Sequence, residues 1–339
     1  MLDKKVTIIM SAYNHEDYIE SAIRSVLDQT YKNYKFIVAD DASTDHTADI
    51  LMKYENDIDE IHLYDNNSGH GRGRLFILQS ETEYTAIISS DDFWEKQKLE
   101  KQINYMEQHP ECGACFTWCD EINENGVSLE NQMFCIKNRS KEEWMMYFWK
   151  NGNCLAHPSI LIRTEIYKQL CSSNISVFKQ LPDFFMWIQL VQKWEIHIIE
   201  ERLVKFRHHK KNQNVSAFTA ENCIRTDMEN EYIWYKIMKE MDDTYFKKVF
   251  QSMFINPNAE SKEELVCEKF FILCISPVGA IQSAAVLFFY DVFQNPEYYR
   301  ILTEKYGYTA KMFYEQEMMI GKGKYQLDLL CYYLAQKMR

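Results

Sequence analysis

Short apolar runs alternate with amphipathic stretches along the first part of the chain. Continuous runs rich in β-branched residues predict buried strands at Val6–Met10, Tyr34–Ala39, Ile61–Tyr64 and Tyr84–Ser90. Between the first two runs, apolar residues recur with the helical period, and further helices are predicted from about Thr47 and from about Arg74. This alternation of strands and helices predicts an α/β fold with a mostly parallel, doubly wound sheet.

Three of the predicted strands end in clusters of polar residues. Ser11–Asn14 follows the first strand, Asp40–Asp41 follows the second, and Asp91–Asp92 follows the fourth. Open α/β sheets bind ligands beyond the carboxyl ends of their strands. A solvated turn explains any one cluster, because Asp is a common turn residue. Three clusters at one edge of the sheet favour a nucleotide or sugar-phosphate site.

Asp91 and Asp92 form the clearest candidate for a cation site. Two adjacent carboxylates at the end of a buried strand repel each other unless a positive charge lies nearby. Their oxygen atoms are suitable ligands for Mg²⁺ or Mn²⁺. The pattern therefore predicts that Asp91 and Asp92 hold a divalent metal ion, directly or through water.

Composition narrows the class of protein and its partners. A chain of 339 residues with 46% hydrophobic residues is long enough for an α/β domain and a second unit. The net charge of −12 disfavours nucleic acid as a partner. The apolar stretch within Met1–Met10 is too short for a signal peptide or a membrane span, which predicts a cytoplasmic protein.

Two further features allow alternative interpretations. Cys112, Cys115 and Cys119 suggest a zinc site, but no convincing fourth ligand accompanies them, so buried structural cysteines are favoured among the ten in the chain. Phe270–Tyr290 is the longest apolar stretch of its region. Polar residues interrupt it, which predicts a core helix or a helix pair rather than a membrane span.

The motifs from Val6 to about Ser216 jointly resemble glycosyltransferase family 2. Val6–Asn14 is similar to the opening strand of the family, which ends in Tyr-Asn, and Ala39–Asp45 contains an Asp-Asp-x-Ser-x-Asp turn. Ser89–Asp92 resembles the Asp-x-Asp segment, although most members carry Asp in place of Ser89. The resemblance implies a GT-A fold and donor-nucleotide contacts by Ser11, Ala12, Tyr13, Asn14, Asp41, Arg74, Ser90 and Asp91. It places Asp41 at the nucleotide base and Arg74 near the diphosphate.

Two later segments extend the resemblance to the reacting groups. Leu181–Trp187 resembles the Glu-Asp segment that carries the catalytic base, which implies that role for Asp183, although Pro182 replaces the Glu. The alternative for Asp183 is a helix cap. Leu203–His209 resembles a late strand whose terminal histidine approaches the metal in some members, which implies that His209 is an additional ligand.

His157 is the remaining candidate within the resembling region. Asn153–Ser159 is similar to the His-Pro-Ser strand entry of the family, which makes His157 a candidate on the acceptor side of the site. A hydrogen-bonded structural histidine is an equal alternative. The basic run of Lys205, Arg207, Lys210 and Lys211 is explained by a solvated rim, a phosphate-bearing acceptor or an anionic membrane.

The resemblance predicts a glycosyltransferase domain over residues 1–216 and ends there. The remaining residues, 217–339, are predicted to form a helical carboxy-terminal region of unknown role. Apolar stripes in Met228–Phe254 predict packed helices there, and an oligomer surface or an acceptor-binding module is a further hypothesis.

The resemblance implies metal-dependent transfer of a sugar from a nucleotide-diphosphate sugar, UDP-linked, to an acceptor hydroxyl with inversion. The expected partners are that donor and a glycan or lipid-linked glycan acceptor in cell-surface polysaccharide or glycoconjugate synthesis. Contact with the inner face of a membrane and homo-oligomerisation are secondary expectations. A catalytically inactive nucleotide-sugar binding protein and a sugar-phosphate nucleotidylyltransferase are the alternatives.

Overall fold

A computed structural model describes residues 4–69, 72–130, 132–172, 177–209 and 219–317. The chain divides into two compact units, and each is formed by separate stretches of sequence. The first contains the described residues of Met1–Ser140, Cys154–Val177 and Lys193–Lys211, and the second contains those of Lys141–Asn153, Phe178–Gln192 and Asn212–Arg339. The boundary predicted after residue 216 lies outside the described residues.

The first half of the first unit follows the predicted alternation of strands and helices. Its elements are β1 (Val6–Ala12), α1 (Ile19–Leu27), β2 (Tyr34–Asp40), α2 (Thr47–Met52), β3 (Glu60–Leu63), α3 (Gly73–Gln79) and β4 (Tyr84–Ser89). The four strands are parallel neighbours in the order β3-β2-β1-β4. Residues of β1 and β2 are buried on both faces, as their continuous apolar sequences predict.

The second half of this unit extends the same sheet with both antiparallel and parallel strands. Its elements are β5 (Phe93–Trp94), α4 (Lys98–Gln108), β6 (Cys112–Ile122), a 3₁₀ turn (His157–Ser159), β7 (Leu161–Arg163), α6 (Thr164–Ser172) and β8 (Glu195–Arg207). Strand β7 is antiparallel to both β4 and β6, while β6 and β8 are parallel. The result is an eight-stranded mixed sheet in the order β3-β2-β1-β4-β7-β6-β8-β5.

The predicted α/β class is therefore confirmed, and the antiparallel pairings of β7 and β5 were not predicted. The cysteines that suggested a zinc site lie in β6, where Cys112, Cys115 and Cys119 are buried with free thiols. Burial raises the pKa of the Cys112 thiol to about 12. Within the described residues, these cysteines do not belong to a group of ligand atoms close enough to hold a metal.

The second unit is helical in its described residues. Its helices are α5 (Lys141–Asn151), α7 (Pro182–Leu190), α8 (Ala220–Glu240), α9 (Asp243–Phe250), α10 (Lys262–Cys274), α11 (Gly279–Val292) and α12 (Pro296–Glu304). Large aromatic side chains fill its core, including the fully buried Trp144, Trp187 and Trp234. The helical carboxy-terminal region expected from the apolar stripes is confirmed as far as residue 317.

The long apolar stretch Phe270–Tyr290 forms parts of two helices, α10 and α11. Ser276 and Pro277 lie in the break between them, and Ser276 Oγ donates a hydrogen bond to the carbonyl oxygen of Trp149. The predicted helix pair is thus observed. Within the described ranges, no helix is both long enough and apolar enough to cross a membrane.

Candidate functional site

The register of the central strands brings the three polar clusters to one edge of the sheet. Ser11 lies beside Ala39 of β2 on one side and beside Ser89 of β4 on the other. The loops that begin after these strands therefore start at the same level. The structure thus unites the three predicted clusters.

Hydrogen bonds fasten the loop after β1 to the loop after β2. The backbone N–H of Asn14 donates to Ser43 Oγ at 2.9 Å, and the Asn14 side-chain oxygen accepts from the N–H of Thr44 at 2.8 Å. Asn14 has a φ of 50°, and asparagine tolerates this left-handed region better than most residues. The N–H of His15 donates to Thr47 Oγ1 at 2.8 Å, which fixes the next residue as well.

His15, Asp91 and His209 form a cluster at this edge. Within the described residues, they are the one group whose His, Cys, Asp or Glu ligand atoms lie close enough to hold a metal, all within 4.8 Å of one another. His209 Nε2 lies 2.9 Å from Asp91 Oδ2, and His15 Nε2 lies 4.0 Å from the same oxygen. Asp91 and His209 were predicted as ligands, and sequence reasoning missed His15.

A hydroxyl group orients the imidazole of His15. His15 Nδ1 and Ser90 Oγ are 2.8 Å apart and share a hydrogen bond, which leaves Nε2 facing Asp91. Such a bond to the distal ring nitrogen fixes the tautomer in many metal sites. Ser90 was predicted to contact the donor nucleotide, and in the structure its hydroxyl forms a hydrogen bond with His15. The position of His15 directly after Asn14 was the available sequence signal.

The two adjacent carboxylates have different electrostatic environments. Burial would raise the pKa of Asp91, but the hydrogen bond with His209 and the charges of both histidines lower it below its usual value. Burial and the negative charge of Asp91 raise the pKa of Asp92 well above its usual value. Asp92 Oδ1 accepts the backbone N–H of Arg207 at 2.8 Å and is not part of the three-residue cluster.

Arg207, the last residue of β8, holds the Asp91 loop in place. Its Nε donates to the carbonyl oxygen of Asp91 at 2.8 Å, and its Nη1 donates to the carbonyl oxygens of Asn123 and Glu124. The guanidinium also lies 4.6 Å from the ring centre of Tyr18. Arg207 is 6% exposed and so belongs to the interior of the unit rather than to the predicted solvated rim.

Lys205 is the other member of the basic run that the structure describes. Lys205 Nζ donates to Asp120 Oδ2 at 2.7 Å, so its charge is paired within the unit. Lys210 and Lys211 lie outside the described residues. The expected contact with an anionic membrane therefore stays a prediction.

Asp41, the predicted nucleotide-base ligand, is 4% exposed and already accepts several hydrogen bonds. Its carboxylate receives the N–H and hydroxyl of Ser68 and the Nε of Arg72, the last at 2.9 Å. The Arg72 guanidinium lies over the ring of Tyr64 at 4.1 Å. Asp41 thus fixes Arg72 and the loop that contains Ser68, and its contact with the nucleotide base stays a prediction.

Arg72 and Arg74 have different surroundings. Arg74, which the resemblance placed near the diphosphate, donates its Nε to the carbonyl oxygen of Cys171 in α6 at 3.0 Å. Arg72 is the arginine that reaches the Asp41 loop, and sequence reasoning missed it. The diphosphate role of Arg74 stays a prediction, and its bond to α6 supplies a structural role as well.

His157 lies in the 3₁₀ turn that leads into β7. Its Nε2 and the hydroxyl of Tyr167 share a hydrogen bond of 2.7 Å. Burial lowers the pKa of His157 to about 4, so the imidazole is neutral at physiological pH. These surroundings fit the alternative of a hydrogen-bonded structural histidine, and a role for His157 on the acceptor side stays a prediction.

Asp183 belongs to the second unit, at the second residue of α7. Its Oδ1 accepts the N–H of Phe184 at 2.7 Å, and its Oδ2 accepts Asn153 Nδ2 at 3.2 Å. Burial raises its pKa to about 6, despite these bonds. The helix cap position is occupied by Leu181 without a capping side chain, so Asp183 is not the N-cap residue.

The chain is similar in sequence to a known protein family and to individual members of it. Residues 7–171 match the family model "Glycosyl transferase family 2". A protein described as the putative teichuronic acid biosynthesis glycosyltransferase TuaG of Bacillus subtilis is 32% identical over 249 residues, which cover 72% of this chain and 90% of that protein.

Two further similarities concern a second relative and a solved structure. The UDP-Glc:alpha-D-GlcNAc-diphosphoundecaprenol beta-1,3-glucosyltransferase WfaP of Escherichia coli is 40% identical over 192 residues, covering 56% of this chain and 70% of that protein. The crystal structure of S. aureus TarS 1-349 in complex with UDP-GlcNAc has a TM-score of 0.56 at 17% identity and covers 89% of this chain and 91% of that chain. At this identity, the structural similarity shows a shared fold.

Proposed function

Since the chain belongs to glycosyltransferase family 2 and has the expected GT-A fold, we propose that it transfers a sugar from a UDP-sugar to an acceptor hydroxyl with the help of a divalent cation. The observation that carries the proposal is the His15–Asp91–His209 cluster at the carboxyl edge of the sheet. Asp41 and Arg72 lie in the neighbouring loops, where the resemblance places the nucleotide.

The donor atoms of the cluster suit a divalent transition-metal ion. One carboxylate oxygen and two imidazole nitrogens are within 4.8 Å of one another, and imidazole nitrogen favours Mn²⁺ over Mg²⁺. The lowered pKa of Asp91 keeps its carboxylate ionised for this role. Asp92 stays a predicted ligand, directly or through water. When bound, the cation supplies positive charge for the departing nucleotide diphosphate.

Asp183 is proposed as the general base for the acceptor hydroxyl. With a pKa of about 6 it is ionised at neutral pH, yet it is more basic than an ordinary aspartate. A base whose pKa approaches the working pH transfers protons efficiently. Removal of the proton as the new bond forms fits a single displacement with inversion, as the family resemblance implies.

The relatives support a class of acceptor. WfaP is named for a donor, UDP-Glc, and for an acceptor that is a sugar linked by diphosphate to undecaprenol, and TuaG is named for teichuronic acid biosynthesis. We therefore propose a glycan acceptor carried on a lipid diphosphate, in cell-surface polysaccharide synthesis. An enzyme with this acceptor works at the cytoplasmic face of the membrane, because the nucleotide sugar is cytoplasmic.

Asp41 gives a prediction for the nucleotide. Asp41→Ala removes a carboxylate that can accept the imide N–H of uracil and releases Arg72, so UDP affinity should fall by about 1.5–3 kcal/mol. Isothermal titration measures the change. Asp49→Asn is the matched control, because Asp49 is exposed on α2. Unchanged UDP affinity combined with lower thermal stability would assign Asp41 to the loop structure alone.

A ligand screen tests the proposed function. Unfolding temperatures should rise with UDP, UDP-glucose or UDP-GlcNAc in the presence of Mn²⁺, because a ligand that binds only the folded state stabilises it by mass action. Chelation of the metal by EDTA should remove most of this rise. Equal stabilisation by every nucleotide, with and without metal, would contradict the proposed donor site.

A further inference from the structure

The entry to α7 is held by a carboxylate from the carboxy-terminal region of the chain. Glu229 lies on α8, 48 residues beyond Leu181. Its Oε1 accepts the N–H of Lys179, and its Oε2 accepts the N–H groups of Gln180 and Leu181, each at 2.8 Å. One side chain thus receives three consecutive backbone donors.

These bonds hold the residues that lead into α7 rather than the first turn of the helix itself. Leu181 is the N-cap residue of α7 and makes no side-chain capping bond. Backbone N–H groups at the start of a helix need an acceptor, and a carboxylate there also interacts favourably with the helix dipole. Hydrogen bonds to a charged acceptor are stronger than neutral ones. Glu229 therefore fixes the backbone immediately before Pro182 and Asp183.

Helix α8 holds the same segment at further points. Gln180 Nε2 donates to Asn222 Oδ1 at 3.0 Å. Asn222 lies about two helical turns before Glu229 on α8. The ring of Phe178 packs against Phe185 of α7 at 5.1 Å and against Tyr232 of α8 at 6.1 Å between ring centres. The segment before α7 is therefore fixed by polar and aromatic contacts to one face of α8.

We propose that Glu229 is a positioning residue for Asp183, so that the carboxy-terminal helices set the placement of the general base. This inference rests on the proposed role of Asp183 in proton transfer. Leu181, whose N–H is bound by Glu229, is two residues before Asp183. A shift of about 1 Å in a reacting group can cost about 10²-fold in rate, so the anchoring of this backbone affects turnover.

The charge of Glu229 provides a second signature. The groups that act on the Asp183 carboxyl are Asn153 beyond α5, the N–H of Phe184 in α7, and Glu229 of α8. Burial is the largest cause of the raised pKa of Asp183, and the negative charge of Glu229 adds to it. Removal of that charge should lower the pKa of Asp183.

The test compares Glu229→Gln, Glu229→Asp and the control Glu221→Gln in the full chain. Gln keeps the shape but removes the charge, Asp keeps the charge but shortens the reach, and Glu221 is exposed in the first turn of α8. The rate of UDP release from UDP-glucose or UDP-GlcNAc is measured across pH with Mn²⁺ and a saturating polyprenyl-diphosphate-linked GlcNAc acceptor. The affinity for UDP with Mn²⁺ is measured separately.

We expect Glu229→Gln to lower kcat by about tenfold or more, with UDP affinity within twofold of wild type. The acid limb of its pH–rate profile should move to lower pH. Glu229→Asp should lower kcat but keep the acid limb, and Glu221→Gln should match wild type. If either folded variant of Glu229 has a normal kcat and a normal acid limb, the proposal is overturned.

Asp183→Asn separates this inference from the proposed function. If Asp183→Asn turns over normally, the assignment of the base fails, and the positioning role fails with it. If Asp183→Asn is inactive while Glu229→Gln and Glu229→Asp have wild-type kcat and pH profiles, only the role of Glu229 is wrong.

Discussion

Asp183→Asn should lower turnover by about 10²–10⁴-fold while donor and metal binding stay intact. A positioned proton-transfer group contributes a factor of this size. Asn has nearly the same shape as Asp and can still accept the N–H of Phe184, so the local backbone should be kept. Rates are measured with acceptor saturating, so that weaker binding cannot imitate slower chemistry.

Asp183→Asn should gain stability although it loses turnover. The pKa of Asp183 is raised to about 6 in the folded protein, above its value of about 4 in an unfolded chain. The folded state therefore binds the proton more tightly, and the carboxyl lowers stability as pH rises from about 4 to about 6. Asp183→Asn should be more stable than wild type at neutral pH, by on the order of 1–3 kcal/mol.

Urea unfolding at pH 7.5 and pH 4.5 checks this prediction, and the gain should shrink at the lower pH. Asp242→Asn is the matched control, because Asp242 caps α9 in the same unit and Asn retains a capping oxygen. Loss of activity together with a gain in stability identifies a functional carboxylate. Wild-type turnover by Asp183→Asn would end its assignment, and Asp120 or Glu195 would then be the carboxylates to test.

Wild-type activity should itself depend on the ionisation of Asp183. Because the base is active only when deprotonated, kcat should fall as pH decreases through about 6. A pH–rate profile of UDP release, at saturating Mn²⁺, UDP-sugar and acceptor, measures this limb. A rate that is constant down to pH 4.5 would contradict a base with so high a pKa.

Asp91→Asn should produce the second large effect, a loss of Mn²⁺ affinity by about 10²-fold or more. Asp91 supplies the only carboxylate oxygen of the three-residue cluster, and replacement of even an outer-shell partner costs about 10–100-fold in many metal sites. UDP binding should lose most of its dependence on Mn²⁺. Titration of Mn²⁺ with detection of the free ion by electron paramagnetic resonance gives the affinity directly.

Single substitutions at the neighbouring residues separate their contributions to Mn²⁺ binding. His15→Ala and His209→Ala should each weaken Mn²⁺ binding by about 10–100-fold and reduce the preference over Mg²⁺. Asp92→Asn should have a smaller effect, since Asn retains an oxygen for the N–H of Arg207. Equal losses for Asp91→Asn and Asp92→Asn would show that Asp92 is a ligand as well, as the sequence predicted.

The parallel half of the sheet was predictable because burial on both faces leaves continuous apolar runs. Strands such as β1 and β2 carry that signal, and the helical period of α1 is equally clear. Strand β7 has only three residues, Leu161–Arg163, and its direction depends on the path of the chain rather than on its composition. Its antiparallel place between β4 and β6 therefore had no sequence signal.

The candidate site was predictable in its location but not in its pairings. The polar residues at the strand ends predicted that three clusters meet at one edge of the sheet, as the strand register shows. Side-chain partners, in contrast, depend on geometry over long separations. His209 reaches Asp91 across 118 residues, and Arg207 reaches the carbonyl of Asp91 across 116. The contacts of Arg72 with Asp41 and of His15 with Asp91 were not predicted, because they depend on the same three-dimensional information.

The environment of Asp183 also depends on distant parts of the chain. One of its hydrogen bonds comes from the side chain of Asn153, and Glu229 of α8 holds the segment before it. The family resemblance ends before α8, so no motif indicated that this helix anchors the entry to α7. The sequence predicted helices in that region, but only the structure shows that α8 contacts the residues immediately before Asp183.

The most direct test of the account is UDP release from UDP-glucose and UDP-GlcNAc, with a polyprenyl-diphosphate-linked GlcNAc acceptor, in Mn²⁺ and in EDTA. We predict turnover of at least one donor with Mn²⁺, its loss in EDTA, and its recovery when Mn²⁺ is restored. Asp91→Asn should show little turnover under any of these conditions. Equal rates in Mn²⁺ and in EDTA, or full activity of Asp91→Asn, would contradict a metal-dependent transferase centred on this cluster.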